Sequence, residues 1–393
     1  MAFNRLFRIC TNKLPMKLKN KIVLGITFTL VFGIGVSSCK KDNEEEPLPE
    51  DSFDKSGLLT NIGDNLIVPQ YQLLKAKTDS LQILTTNFTN TPSLSSLTAL
   101  QTGFLQAYTA YQWISSFEFG PAETDIIRAN FNTFPCDTAQ INSNISSGVY
   151  DLAAVSNIDA KGFPAIDFLL YGKAQDNNYI LSLYTSAANA ANAKTYLTDL
   201  VNELKAKTDF VGNAWSSTGS NYISTFKGNT GSDVGGSIGM LVNQLNYDFE
   251  LLKNARIGIP LGKKTLGVPL PEKVEAYYSQ QSLMLVMEHI KNIENIYLGR
   301  NKTNVDGLGF DDYLVHLNAQ YGSGSLNDAI KNRFVAAKTK LAAIPGPLSQ
   351  AVLTDAVLVD QAYAELQQLV ILLKVDMPSA LGVLITYVDN DGD

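Results

Sequence analysis

Apolar residues recur at steps of three and four along most of the chain, the spacing that gathers side chains on one face of a helix. Leu97, Leu100, Phe104, Ala107, Tyr111 and Ile114 form one such stripe. Thr91 ahead of Pro92 reads as its N-cap with proline at the first helical position, and Gly120-Pro121 as its stop. Ile67, Tyr71, Leu74, Leu81, Leu84 and Phe88 make the preceding helix. Later stripes run through Ala193, Leu197, Leu200, Leu204 and Val211; through Ile238, Leu241, Leu245, Phe249 and Leu252; and through Leu283, Met287, Ile290 and Tyr297. Gly299 ends the last of these. Leu326, Ile330, Phe334, Ala337 and Leu341 follow, with Ser325 and Asp328 set as in a capping box, and a final helix carries Tyr363, Leu366, Val370 and Leu373. No alternating strand pattern stands out beyond a short extension around Leu384 to Val388. The expectation is an all-α protein of bundle type with roughly eight or more amphipathic helices. The stretch Trp215 to Gly236, rich in Ser, Thr, Gly and Asn, reads as the junction between an N-terminal helical domain (56–215) and a C-terminal one (216–393).

The start of the chain has a different pattern. Lys17, Lys19 and Lys21 precede fifteen largely apolar residues, Ile22 to Val36. That run falls short of the ~20 residues a membrane-spanning helix needs and fits a secretory signal over 1–38. Val36-Ser37-Ser38-Cys39 resembles a bacterial lipobox, in which the cysteine thiol receives a diacylglycerol. The resemblance implies an exported outer-membrane lipoprotein, facing the periplasm or the cell surface and held to the membrane at Cys39. The acidic, proline-bearing segment after it, within 39–55, cannot bury a core and reads as a tether. It is similar to the acidic tracts of surface-exported lipoproteins of the Bacteroidota; a plain solvated spacer is the other reading. With Cys10 in the signal and Cys39 lipidated, Cys136 stands alone, so no intramolecular disulfide forms in the mature chain. Cys136 is expected to be a buried structural thiol.

The 393 residues are 45% apolar and 18% charged, a globular composition. Without the signal, which holds six basic residues and no acid, 25 basic side chains face 38 acidic ones, net −13. Such a surface repels a phosphate backbone and speaks against nucleic-acid binding.

Candidate chemistry is sparse. There are two histidines. His289 has no carboxylate three or four residues further on. His316 follows Asp312 by one helical turn, but two ligands do not complete a zinc site. H-E-x-x-H, G-x-S-x-G and phosphate-loop patterns are absent. Asp389-Asn390-Asp391-Gly392-Asp393 starts like a calcium loop but lacks the later ligands, and reads as an acidic tail.

The most informative segment is Lys161-Gly-Phe-Pro-Ala-Ile-Asp-Phe-Leu-Leu-Tyr-Gly172. Gly162 permits a tight turn, Pro164 suits a first helical turn, and Asp167 falls in a helix so apolar that its carboxylate must be shielded and partnered. The segment resembles the signature of the imelysin family, G-x-H-x-x-E within a context like GFHAIEYLLFG. Family-like blocks follow in order: Tyr111 to Pro121, which includes Trp113, Glu118, Phe119 and Gly120; Lys253 to Gly262, which includes Arg256; Pro271 to Tyr278; and the Asp391-Gly392-Asp393 ending. The resemblance implies two helical-bundle domains packed side by side with the motif near their interface, a role in bacterial iron uptake, and a historical peptidase label.

The departures change that picture. Pro164 stands at the family's His and Asp167 at its Glu, so the motif offers no imidazole to a metal. A non-catalytic accessory protein of iron or haem acquisition follows, binding a ligand or partner at the inter-domain cleft and working with an outer-membrane uptake system. Two further readings stand beside it: an iron-binding protein using Asp167 with Glu118 or Glu123, and a peptidase. Asp167 is expected to cap its own helix and pair with Lys253 or Arg256, and Trp113, Phe117 and Phe119 to be core aromatics.

Overall fold

The structure, a computed structural model, describes residues 52–173 and 176–387. The signal, Cys39, the tether and the Asp391-Gly392-Asp393 ending lie outside the described residues. Helices dominate, and the apolar stripes face inward as their spacing predicts. Val68–Asn90, Leu94–Tyr111, Ala190–Trp215 and Gly162–Tyr171 pack together as one group of helices. Ser237–Leu251, Ser282–Tyr297, Leu326–Ala342 and Ala356–Ile371 pack as a second. Both lie within one compact unit that begins at Ser52.

Several local expectations are corrected. The helix Leu94–Tyr111 is capped by Ser93, not Thr91: its hydroxyl accepts the Ser96 N–H at 3.1 Å while the Ser96 hydroxyl accepts the Ser93 N–H. The two serine hydroxyls thus satisfy one orphan donor each, a reciprocal pair that a start at Thr91–Pro92 does not offer. The helix also ends at Tyr111, before Ile114, and Gly120-Pro121 opens the short helix Pro121–Thr124 instead of stopping a long one. Gly120 has φ +56°, and a Cβ there would sit 2.4 Å from the Tyr222 ring, so only glycine fits. No strand forms at 384–387; the Asn243 side chain there accepts the Thr386 N–H and donates to the Leu384 carbonyl. The one described β pair joins Gln320–Tyr321 to Gly324–Ser325. Ser325 caps Leu326–Ala342 as expected, accepting the Asp328 N–H.

The described N-terminus reaches across to the second group. Phe53 stacks on Tyr313 with ring centroids 4.3 Å apart. Asn61, ending the helix Lys55–Asn61, donates from Nδ2 to the carbonyls of Gly299 (2.7 Å) and Leu308 (2.9 Å), clasping both ends of the loop between two C-terminal helices. Asp312 spends its carboxylate on the Gly309 N–H at the start of Phe310–His316, so it is not held for a ligand shared with His316.

Candidate functional site

Side chains of both groups meet along a polar seam. At one end is the signature helix Gly162–Tyr171. Gly162, at φ +71°, lets the backbone pass so close to the Phe131 carbonyl that a Cβ would lie 2.4 Å from its oxygen. Phe163 stacks on Tyr108 at 4.5 Å, fixing the helix against its own group. Asp167 then points across the seam. Its carboxylate accepts the Tyr278 N–H at 2.9 Å and the Ser279 N–H at 3.1 Å. It therefore neither caps its own helix nor pairs with Lys253 or Arg256, because the 274–279 loop supplies backbone donors first. Lys253 donates to Gln367 at 2.7 Å, and Arg256 turns to Glu275 and Gln112. Burial pushes the Asp167 carboxyl up to about 7, against the pull of its hydrogen bonds, since its partners are neutral dipoles.

Asp167 and Pro164 line a cavity of about 320 Å³ with Cys136, Lys173, Glu272 and Tyr278. The Cys136 thiol is buried as expected, and burial pushes it up to about 12, so it is no thiolate nucleophile at neutral pH.

The middle of the seam is a closed hydrogen-bond chain. Arg256 Nη1 donates to Glu275 Oε2 at 2.7 Å and to Gln112 Oε1 at 2.5 Å; Gln112 and Asn132 both donate to Glu275 Oε1. Tyr108 donates to Asn132 at 2.6 Å. Arg256 is carried on a π-helical turn, Leu252–Gly258, that continues Ser237–Leu251 and widens the helix at this point.

Beyond it lies a cluster that periodicity alone does not announce. Asp248 and His289 are both fully buried, with Asp248 Oδ2 and His289 Nε2 2.5 Å apart. Ser115 and Ser116 donate to the same carboxylate oxygen at 3.0 and 2.6 Å, and Arg128 Nη2 lies 3.8 Å from Oδ1. Burial pushes Asp248 up, but the hydrogen bond from His289 and the charges of Arg128 and Arg256 outweigh it and hold the carboxyl well below its usual range. Burial likewise outweighs Asp248 at His289 and keeps the imidazole below its usual value, hence neutral, with Nε2–H donated to the carboxylate. This is not a Ser-His-Asp relay. Ser115 Oγ and Asp248 both meet the same ring nitrogen, Nε2, and Nδ1 has no hydrogen-bond partner among the described residues.

The cluster opens on a cleft of about 420 Å³ whose walls include Glu118, Arg128, Tyr247, Asp248 and Arg256. Glu118 accepts the Arg128 N–H at 2.9 Å, and burial pushes its carboxyl up to about 7. Arg128 lies over the Tyr247 ring at 5.0 Å. Phe117 and Phe119 are buried core as expected, while buried Trp113 also donates from Nε1 to Glu288 across the seam at 3.0 Å.

The donor set does not fit a metal. Among the described residues no group of three or more His, Cys, Asp or Glu side chains comes together, so Asp167 does not gather with Glu118 or Glu123 into the carboxylate set that the alternative iron-binding reading requires. Asp167 has both oxygens on backbone N–H groups, and Pro164 carries no donor atom.

Sequence reasoning found Asp167, Arg256 and Glu118, weighed His289 without finding its partner, and marked the blocks that hold Ser115, Ser116 and Glu275 without giving those residues a role; it missed Asp248 and Arg128. Asp248 and His289 did leave a signal: each lies on the apolar stripe of its helix, three after Leu245 and four after Leu285, where a polar group needs a buried partner.

Fold and seam together define an all-helical protein whose two groups of helices meet through buried, hydrogen-bonded charges. The imelysin family model matches residues 67–373, and the chain belongs to the imelysin family. It is similar in structure to a protein named as an iron-regulated protein A precursor, from Parabacteroides distasonis, with TM-score 0.69 and 18% identity over 83% of this chain and 94% of that one. An imelysin-like protein from Psychrobacter arcticum is similar with TM-score 0.59 and 16% identity, covering 85% of this chain and 97% of that one. No curated protein matches the chain.

Proposed function

We propose that the protein is an exported, lipid-anchored accessory component of bacterial iron or haem acquisition that binds a ligand or partner at the seam cleft without catalysing a reaction. The observation that carries this reading is the pairing of an intact cleft with a disarmed signature. The cleft of about 420 Å³ keeps two arginines, a carboxylate near neutrality and tyrosines on its walls. Beside it, Pro164 replaces the imidazole, and the Asp167 oxygens are occupied by backbone donors. A metallopeptidase needs a metal-bound water and ligands to hold it, and the signature supplies none. The name of the Parabacteroides neighbour supports the iron connection. The N-terminal pattern ending in Cys39 supports export and anchoring.

Elemental analysis and a peptide-library assay on the protein isolated from its own cell envelope test the non-catalytic half. The expected result is no stoichiometric iron or zinc, and no cleavage of a peptide library. Cleavage abolished by Asp167→Asn overturns the reading. The anchor is tested separately: Cys39→Ala is expected to leave the precursor unprocessed and lost from the membrane fraction, and normal retention overturns that part.

A further inference from the structure

A second groove, of about 460 Å³, lies where the helices Val68–Asn90 and Leu94–Tyr111 meet the loop that follows Gly299. Its volume is within the ~300–1,000 Å³ usual for small-molecule sites. The floor is apolar, with Leu73, Leu105 and Ala110 contributing. Its two charged lining residues are both lysines, Lys77 from the first group of helices and Lys302 from the loop.

Neither ammonium is matched by an acid. Lys77 donates to the amide oxygen of Gln106 at 2.9 Å, and Lys302 lies 4.5 Å from the centre of the Trp113 ring. Neither forms an ion pair among the described residues. The nearby acid, Glu288, is already bound by Lys291 at 2.8 Å and by Trp113 at 3.0 Å. Burial, with repulsion from Lys77 and Lys291 added, outweighs Glu288 and holds the Lys302 ammonium below its usual value. In a chain of net charge −7, two cations facing an apolar floor with no carboxylate partner are complementary to an anion with an apolar tail.

We propose that this groove binds a medium-chain aliphatic carboxylate, with the alkyl chain along Leu73 and Leu105 and the carboxylate between the ammonium groups of Lys77 and Lys302. Because Lys77 belongs to the first group of helices and Lys302 to the loop between two C-terminal helices, the ligand bridges the two at a point separate from the seam cleft. The proposal does not depend on the function assigned to that cleft.

Calorimetric titration of the protein as isolated with decanoate, decanol and acetate tests it. Decanoate is expected to bind saturably at one site, with decanol and acetate weaker by roughly tenfold or more, each lacking one half of the recognition. Lys302→Met and Lys77→Met, both at half-buried positions, are expected to keep the native helical circular dichroism. Each is expected to weaken decanoate by roughly tenfold while leaving decanol unchanged. Decanoate should also shift tryptophan emission, as Lys302 leaves the face of Trp113. Absent saturable binding, equal affinity for decanol, or decanoate binding unchanged in both variants overturns the proposal. Binding of a glutamate-rich peptide with decanoate inert overturns it too, and makes the groove a protein-docking surface.

Discussion

Two aspartates on the same seam have opposite electrostatic fates. Asp167 and Asp248 are equally buried, each 1% exposed, and each is hydrogen-bonded across the boundary between the two groups of helices. Asp167 meets only neutral donors, and burial pushes its carboxyl up to about 7. Asp248 meets two hydroxyls, an imidazole and a guanidinium, and stays ionised. Depth therefore does not set the charge of a buried acid; the net charge and number of its partners do. The signature of the family sits at the electrically quiet end, and the charged machinery of the seam lies outside it.

The largest expected effect separates the two directly. Asp248→Ala takes a buried counter-charge from beside Arg128 and leaves two serines and an imidazole without their acceptor, and is expected to cost about 3–5 kcal/mol in a urea melt. Asp167→Asn is expected to cost about 1–3 kcal/mol at pH 5. An equal loss for both at pH 5 would break the contrast.

The pH dependence sharpens it, because the signs differ. Folded Asp167 keeps a proton that the unfolded chain has released between pH 3.8 and about 7. Its contribution is therefore full below 3.8 and lost as pH rises to about 7. Asp167→Asn should remove that loss, so its cost should shrink from pH 5 to pH 8; Glu118 acts in the same sense. His289 is the reverse: unfolded, it takes up a proton below its usual 6.5, and folded it resists. Its contribution is present above 6.5 and fades as pH falls. His289→Gln is expected to flatten the acid side of the stability curve by about 1 kcal/mol between pH 7.5 and 5.5. If both variants shift the curve the same way, the assignment of a neutral imidazole is wrong. The smallest effect is a control. Trp113→Phe touches neither aspartate, and losing its hydrogen bond to partly exposed Glu288 should cost about 0.5–1 kcal/mol, with no change in the pH profile above pH 5, because that bond helps hold only the Glu288 carboxyl below its usual range.

Much of the fold was legible because helix stripes are local. Leu97 to Tyr111 and Ile238 to Leu252 gave their helices from spacing alone, and the 161–172 segment carried the family resemblance. Helix ends were harder. Thr91 and Ser93 are both good caps, and only the Ser96 hydroxyl decides between them. The seam was the least legible part. Asp167 could be seen to need a partner, but its partners are backbone N–H groups in a loop more than a hundred residues later, which carry no side-chain signature. Asp248 and His289 showed as polar intrusions on apolar stripes. Their pairing depends on how two helices pack, which neither stripe encodes. Glu275 and Arg128 lie outside any long helix and left no periodic trace.

The clasp made by Asn61 bears on how the protein is handled. Trimming the chain to begin at Val68 would spare every long helix, yet remove the buried Leu58, Leu59, Ile62, Leu66 and Ile67 and release both ends of the loop that carries Lys302. A truncated form would thus lose part of the core together with an attachment near residue 300, so the choice of starting residue is itself a perturbation of the distant half.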